Sequence, residues 1–350
     1  MDNYTIEEQA CIAISREDNQ TLRKRLLEFF EKESFTDILA EANMEDLKHF
    51  VRNINDQGII AVTRKSKNYP QSLFRLENPP MVLYAKGNVE LLQKPAIAIV
   101  GTRACTRYGS EVASRFAKEF AKRGIVVVSG LADGIDTAAH NGAFLASEKD
   151  SVNTIAVLGN GINVYYPKNN VSLQRKIAQQ GLVISEYLPA CPSTRYNFPF
   201  RNRIVAALSE AVVIVEAGLK SGTMITAEWA HTVGVDVFAI PGPITSDVSQ
   251  GTNQIIKQAQ CAIATCVEDI LPSFGIYEGN VAKQVQQANF VEINEYEKTI
   301  LDILKSDEVH FDELFGKSGQ TPGKLTTLLT NMELSGLIKK LSGNYYTAVR

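Results

Sequence analysis

The stretch that most constrains this chain is residues 96–140, AIAIVGTRACTRYGSEVASRFAKEFAKRGIVVVSGLADGIDTAAH. Ile97 to Val100 is a short apolar run ending at Gly101-Thr102-Arg103. From Tyr108 to Lys122, Val112, Phe116 and Phe120 recur at helical spacing. Ile125 to Val128 is a second apolar run, broken by Ser129-Gly130. Strand, glycine loop, helix, strand, glycine loop is a βαβ unit, which demands a parallel sheet covered by helices. In such sheets the ligand site forms from the loops at the carboxyl ends of the strands. One of the two loops in this stretch already carries an arginine.

The same rhythm continues downstream. Apolar runs at 154–158, 182–185, 211–216, 235–242 and 261–265 alternate with helical patterns at 135–146, 171–180, 201–210, 224–234 and 252–260, giving seven strand-like runs in all. The reading is a large doubly wound, Rossmann-like and mostly parallel α/β domain over 58–272. Met81 to Tyr84 is expected as an edge strand added in front of it. Residues 1–57 read as four short helices forming a small helical (SAM-like) domain, with Ser34 and Asn43 as N-caps. Residues 273–290 lack periodicity and read as a linker. Residues 291–350 read as three helices followed by a hairpin turning at Ser342-Gly343-Asn344, a winged-helix pattern.

Charge and cysteines narrow the function classes. With 350 residues, 45% of them hydrophobic, the chain has material for a large core, and its formal net charge is −3. By segment the net charge is −4 for residues 1–65, +3 for 66–290 and −2 for 291–350. Any polyanion must therefore be met by local positive charge in the sheet domain. Within the expected recognition helix, 321–335, Lys324 is offset by Glu333, so the winged-helix pattern argues for DNA while its charge argues for protein contact or packing. Five scattered cysteines without a CxxC pair favour neither a zinc site nor a disulfide framework. No apolar run approaches a membrane span, and MDNYTIEEQA lacks the basic and apolar regions of a leader, so the expected location is the cytoplasm.

Four loops should converge at one sheet edge. The first holds Gly101, Thr102 and Arg103; the second holds Ser129 and Gly130. The third holds Arg195, Phe198, Arg201, Asn202 and Arg203; the fourth holds Lys220, Ser221, Gly222 and Thr223 and opens a helix. Helix amino termini and glycine-rich turns present N–H groups to phosphate, and arginines add charge-assisted bonds. A salt bridge to Glu186 or Glu216 is the structural alternative for any one arginine. G-x-G-x-x-G is absent after the first strand, and the SGT turn lacks the lysine of a P-loop, which disfavours dinucleotide binding and ATP hydrolysis. Neither a zinc motif nor a nucleophile elbow is present. Asp133, Asp136 and His140 read as loop and helix-capping residues, so no catalytic group, metal or cofactor is expected. Tyr187, Tyr196, Phe198 and Phe200 are interleaved with arginines, the way single strands are held by stacked rings and backbone cations. Stacking is expected of Phe198, whereas Phe200 is expected to plug the sheet edge.

The motifs VGTRACTRYG, SGLADGID, LGNGINVYYP, SEY, FPFRNR, VEAGLKSGTMITAEWA and VFAIPG, in this order over 97–242, resemble the bacterial DNA-processing protein A (DprA, or Smf) family. The resemblance implies a non-enzymatic single-stranded DNA binder that protects incoming strands in natural transformation, loads a RecA-type recombinase onto them and forms homodimers through the large domain. It carries the binding role onto Arg103, Arg195, Phe198, Arg201, Asn202, Arg203, Ser221, Gly222 and Thr223. Asn163 stands where the family often has an acid. A rival reading is a nucleoside monophosphate phosphoribohydrolase-like enzyme, with Gly222-Thr223 at a helix start, Glu228 as the acid and Arg103 on the phosphate. An NAD-linked enzyme has less support.

Overall fold

The computed structural model describes residues 4–18, 20–146, 151–276, 295–304, 309–334, 337–341 and 343–348. The chain divides into two compact units, Met1–Gly275 and Ile276–Arg350.

The first unit is built on nine strands: β1 (Ile60–Thr63), β2 (Val82–Gly87), β3 (Ala96–Val100), β4 (Val126–Ser129), β5 (Thr154–Leu158), β6 (Leu182–Ser185), β7 (Ala211–Ile214), β8 (Asp236–Ala239) and β9 (Ala262–Ile263). Their order is β1-β2-β6-β5-β4-β3-β7-β8-β9. The seven strands from β6 to β9 pair in parallel. β2 joins β6 antiparallel, and β1 joins β2 antiparallel. The run around Met81–Tyr84 is therefore not an edge strand; β1 takes that place. Strands buried on both faces must be apolar at every position, which is why β3, β5 and β7 read as unbroken apolar runs.

Each face is closed by helices. Ala98, Val126, Val128 and Val212 face one core under α8 (Asn197–Ala207), α9 (Thr223–Thr232) and α10 (Gln250–Lys257). Ile97, Ile99, Val127 and Val213 face the other, under α5 (Arg107–Lys122) and α6 (Ile135–Phe144). Phe274, assigned to the linker on sequence, packs its ring 6.1 Å from Phe120, so the sheet unit runs past residue 272. The rest of the expected linker, 277–290, lies outside the described residues.

The amino-terminal helices α1 (Ile6–Arg16), α2 (Gln20–Glu31), α3 (Phe35–Glu41) and α4 (Met44–Asp56) lie in the same compact unit as the sheet. Ile12, Leu26, Ile38, Leu47 and Val51 bury in one core with Ala61, Tyr84, Ala156 and Val183 of the sheet, together with Leu173 and Ile177 of α7 (Val171–Gln180). Polar ties reinforce the seam: Ser15 Oγ lies 2.9 Å from Tyr84 Oη, and Ala61 N donates to Tyr4 Oη. Asn43 caps α4 by accepting from Asp46 N, but the Ser34 side chain makes no cap bond. The stronger start signal is a capping box of Thr5 with Glu8.

The second unit has its own core of Ile300, Leu304, Leu314, Leu325, Leu329 and Met332. Its elements are α11 (Glu295–Leu304), β10 (Val309–His310), α12 (Phe311–Ser318), α13 (Pro322–Leu334), β11 (Ile338–Lys340) and β12 (Tyr345–Ala348), with sheet order β10-β12-β11. This is the winged-helix arrangement expected. Gly343 and Asn344 both take positive φ at the hairpin turn, while Ser342 lies outside the described residues. No helix among the described residues is long and apolar enough to cross a membrane.

Candidate nucleic-acid interface

Strand order reverses at β3: β4, β5 and β6 build to one side of it and β7 to the other. Loops leaving β3 and β7 must diverge there, opening a crevice at the carboxyl edge, the usual ligand position of a doubly wound sheet. A cleft of about 710 Å³ occupies this point. Gly101, Thr102, Arg103, Gly130, Arg195, Phe198, Arg201, Asn202, Ser221, Gly222 and Thr223 line it, so all four expected loops converge. Ser129, Arg203 and Lys220 do not line it.

Those three exceptions have separate causes. Ser129 is buried in the sheet and donates from Oγ to Ile99 O at 2.7 Å. Lys220 is exposed beyond the rim. Arg203 is excluded because it lies well inside a helix: α8 begins four residues before the expected start, at Asn197, with Pro199 in its first turn, where no N–H is required. On a helix, Arg201 and Arg203 lie about 200° apart around the axis. Arg201 thus faces the sheet edge while Arg203 turns to the opposite side. Arg203 is 3% exposed; its Nη2 lies 2.6 Å from both Glu186 oxygens and its Nη1 donates to Asn78 O. This is the structural alternative that the sequence had weighed for each arginine. Glu216 takes no arginine; its carboxylate accepts from Thr106 N and Oγ1 ahead of α5.

Arg201 lines the cleft but is not a free cation. It is 5% exposed, and Nη1 donates to the carbonyls of Gly130, at 2.8 Å, and Val157. Burial pulls its pKa down to about 10, against the attraction of Asp136. Gly130 must lack a side chain, because a Cβ there would sit 2.4 Å from Arg201 Nη2. Asp136 is buried and accepts from Gly130 N and Ala132 N, which shapes the loop after β4. Burial raises its pKa, and the Arg201 charge opposes that rise. Together they form an internal brace under the floor of the cleft.

The first and fourth loops are similarly organised from within. A Cβ at Gly101 would lie 2.5 Å from Ile135 Cγ1, and Thr102 N donates to Glu216 O at 2.7 Å, so glycine and amide both serve packing. Ser221 Oγ donates to Thr223 Oγ1 and accepts from Thr223 N, holding the turn that leads into α9. Asn202 Nδ2 reaches Gly222 O at 3.4 Å, tying α8 to that loop.

Arg103 and Arg195 are exposed cations lining the cleft, and Arg103 lies beside Phe198. Arg103 makes no ion pair among the described residues, and its guanidinium carbon lies 5.6 Å from the centroid of the Phe198 ring. Phe198 is half-buried, with its ring 5.3 Å from that of Tyr166 at an interplanar angle of 32°. Arg195 lies over Tyr196 at 4.9 Å. Sequence reasoning missed Tyr166, Ser193 and Thr194 among the lining residues. The YYP run was visible but served only as an argument against a dinucleotide loop. Phe200 does not plug the edge; it is 48% exposed on the far side of α8. Glu228, the acid of the hydrolase reading, is exposed and does not line the cleft.

His140 stands outside the cleft. Thr154 Oγ1 donates its hydrogen to Val127 O, so it must accept from His140 Nδ1–H, leaving Nε2 buried without a partner. Burial, and then the Arg201 charge, lower the His140 pKa from 6.5 to about 3. The unfolded chain binds a proton that the fold refuses, so this residue's contribution to stability is complete above pH 6.5 and is lost as pH falls towards 3. Its slope is about 1.4 kcal/mol per pH unit. Urea midpoints taken at falling pH check this, and His140→Gln is expected to remove that part of the slope.

Comparison with known proteins identifies the family and the fold. The family model described as DNA recombination-mediator protein A matches residues 60–275, and the DprA winged helix domain matches 292–344. The chain is 41% identical to DNA processing protein DprA of Streptococcus pneumoniae over 206 residues, 59% of this chain and 71% of that protein. It is 35% identical to protein Smf of Escherichia coli over 289 residues, 80% of this chain and 75% of that one. The X-ray structure of the S. pneumoniae protein superposes with a TM-score of 0.65 at 33% identity, covering 79% of this chain and 99% of that chain. DNA processing protein A of Helicobacter pylori, whose structure concerns its single-stranded DNA binding mode, superposes at 0.56 and 33% identity, covering 62% of this chain and 95% of that chain. The sheet domain and the winged helix both match models of one family, and the chain belongs to the DNA recombination-mediator protein A (DprA/Smf) family.

Proposed function

We propose that this protein binds single-stranded DNA without altering it, holding the strand across the cleft at the β3/β7 switch point. The observation that carries the reading is Arg103, unpaired with any carboxylate among the described residues and laid over Phe198, whose other neighbour is Tyr166. A guanidinium beside accessible rings offers a phosphate contact and a stacking surface within one nucleotide's reach. The single-strand binding of the H. pylori relative supports the same ligand. Asp136 is engaged with backbone amides, and no histidine, cysteine or glutamate is found among the described lining residues, which favours holding over chemistry. The bound strand is then handed to a RecA-type recombinase during natural transformation, with the sheet unit pairing into homodimers that align two clefts. The winged helix, poor in cations on α13, serves protein contact.

Titration of an oligothymidine against a duplex of equal length, at two salt concentrations, tests the binding reading. Single strands are expected to bind more tightly, with affinity falling steeply as salt rises, because neutralised phosphates release counterions. Equal affinity for both forms, or indifference to salt, would remove it.

A further inference from the structure

We infer that the strand's path does not end at the cleft but crosses the amino-terminal end of α8 onto a second track of rings and guanidiniums on its outer face; this rests on the single-strand reading above. Large aromatic side chains rarely stand open on a soluble surface in succession without a partner. Here Tyr196 is 71% exposed, Phe200 48% and Phe74 45%. Each has a guanidinium on its ring: Arg195 at 4.9 Å, Arg203 at 4.2 Å and Arg64 at 5.8 Å from the respective centroids.

These pairs are linked in space. Arg195 lines the cleft, and its Nη2 lies 2.7 Å from Tyr196 Oη, so this pair forms the rim. Phe200 follows one helical turn on, over Arg203, whose Nη1 reaches Asn78 O in the segment that also carries Phe74. Charge distinguishes their roles. Arg203 is neutralised by Glu186 and serves as a platform for Phe200. Arg195, exposed, and Arg64, half-buried between Phe30 and Phe74 with its Nε enclosed, make no ion pair among the described residues, so neither charge is neutralised by a carboxylate there. Alternating rings with unpaired cations suit a flexible polyanion carrying flat bases, and continuity with the cleft makes the occupant the same DNA strand.

Fluorescence anisotropy on the full chain, with oligothymidines of about 6 and about 20 nucleotides, tests the path. The double variant Phe74→Ala with Phe200→Ala is expected to weaken the longer oligomer about tenfold or more and leave the shorter unchanged. Phe74→Leu with Phe200→Leu, which keeps apolar bulk but removes the flat face, should behave the same way. Arg64→Gln should reduce the salt slope of the longer oligomer by about one and spare the shorter. An unchanged affinity for the longer oligomer, or equal weakening of both, overturns the path. So does a change of oligomeric state in light scattering with DNA affinity intact, which would assign the face to protein contact. Failure of the unaltered protein to hold either oligomer would instead overturn the cleft reading, so the two failures are distinguishable.

Discussion

Arg103→Ala is expected to abolish the gel shift of an oligothymidine while leaving thermal unfolding unchanged. The residue is exposed, makes no ion pair among the described residues and lies beside the Phe198 ring, so the fold loses little with it. A charge-assisted hydrogen bond to phosphate is worth about 1.5–3 kcal/mol, roughly ten- to hundredfold in affinity. Loss of the cation that orders Phe198 adds to this. The salt dependence of the remaining binding should become shallower by about one phosphate contact. An Arg103→Ala protein that shifts DNA as well as the parent would show that phosphate is held elsewhere. Arg103→Lys separates the two parts of the effect, since it keeps the charge but loses the planar group.

The second large effect is of the opposite kind. Arg201→Ala is expected to destabilise the sheet unit, because the buried carbonyls of Gly130 and Val157 lose their donor and the buried Asp136 carboxylate loses a nearby opposing charge. Any loss of DNA binding in this variant therefore reports on the loop after β4 and not on a phosphate contact, whereas in Arg203→Ala it would report on the lost bonds to Glu186 and Asn78 O. The pH dependence identifies the cause. Asp136 already has a raised folded pKa, and removing Arg201 takes away the opposing charge, so the pKa should rise further. A group with a raised folded pKa favours the fold at low pH and works against it once ionised. The stability deficit of Arg201→Ala should therefore narrow as pH is lowered through the Asp136 pKa, and Asp136→Asn should relieve part of it at neutral pH. Urea unfolding of the three variants across pH measures this. A deficit independent of both pH and Asp136 would rule out the buried charge as its source.

These two arginines were indistinguishable in the sequence. Both lie in family motifs, and both were expected on phosphate. What separates them is depth: one is exposed beside a half-buried ring, the other is buried and bonded to two backbone carbonyls. The misreading of 197–200 as loop had the same origin. Proline and alternating aromatics look like irregular chain, yet proline is tolerated in a helix's first turn, and α8 starts there. Once the segment is helical, its 100° advance per residue distributes Phe198, Phe200, Arg201 and Arg203 over different faces, which no linear spacing reveals.

The amino-acid sequence by itself determined the parallel sheet, its alternating helices, the winged helix and the four loops that meet at the cleft. It could do so because burial on both faces demands unbroken apolar strands, and helical spacing of apolar residues is local information. Only the tertiary structure decided which polar side chains in those loops face solvent and which brace the fold, and that the amino-terminal helices share the core of the sheet. Those outcomes depend on long-range partners, Asp136 for Arg201, Glu186 for Arg203 and Tyr84 for Ser15, and a buried charge or hydroxyl is committed by whatever the fold brings against it.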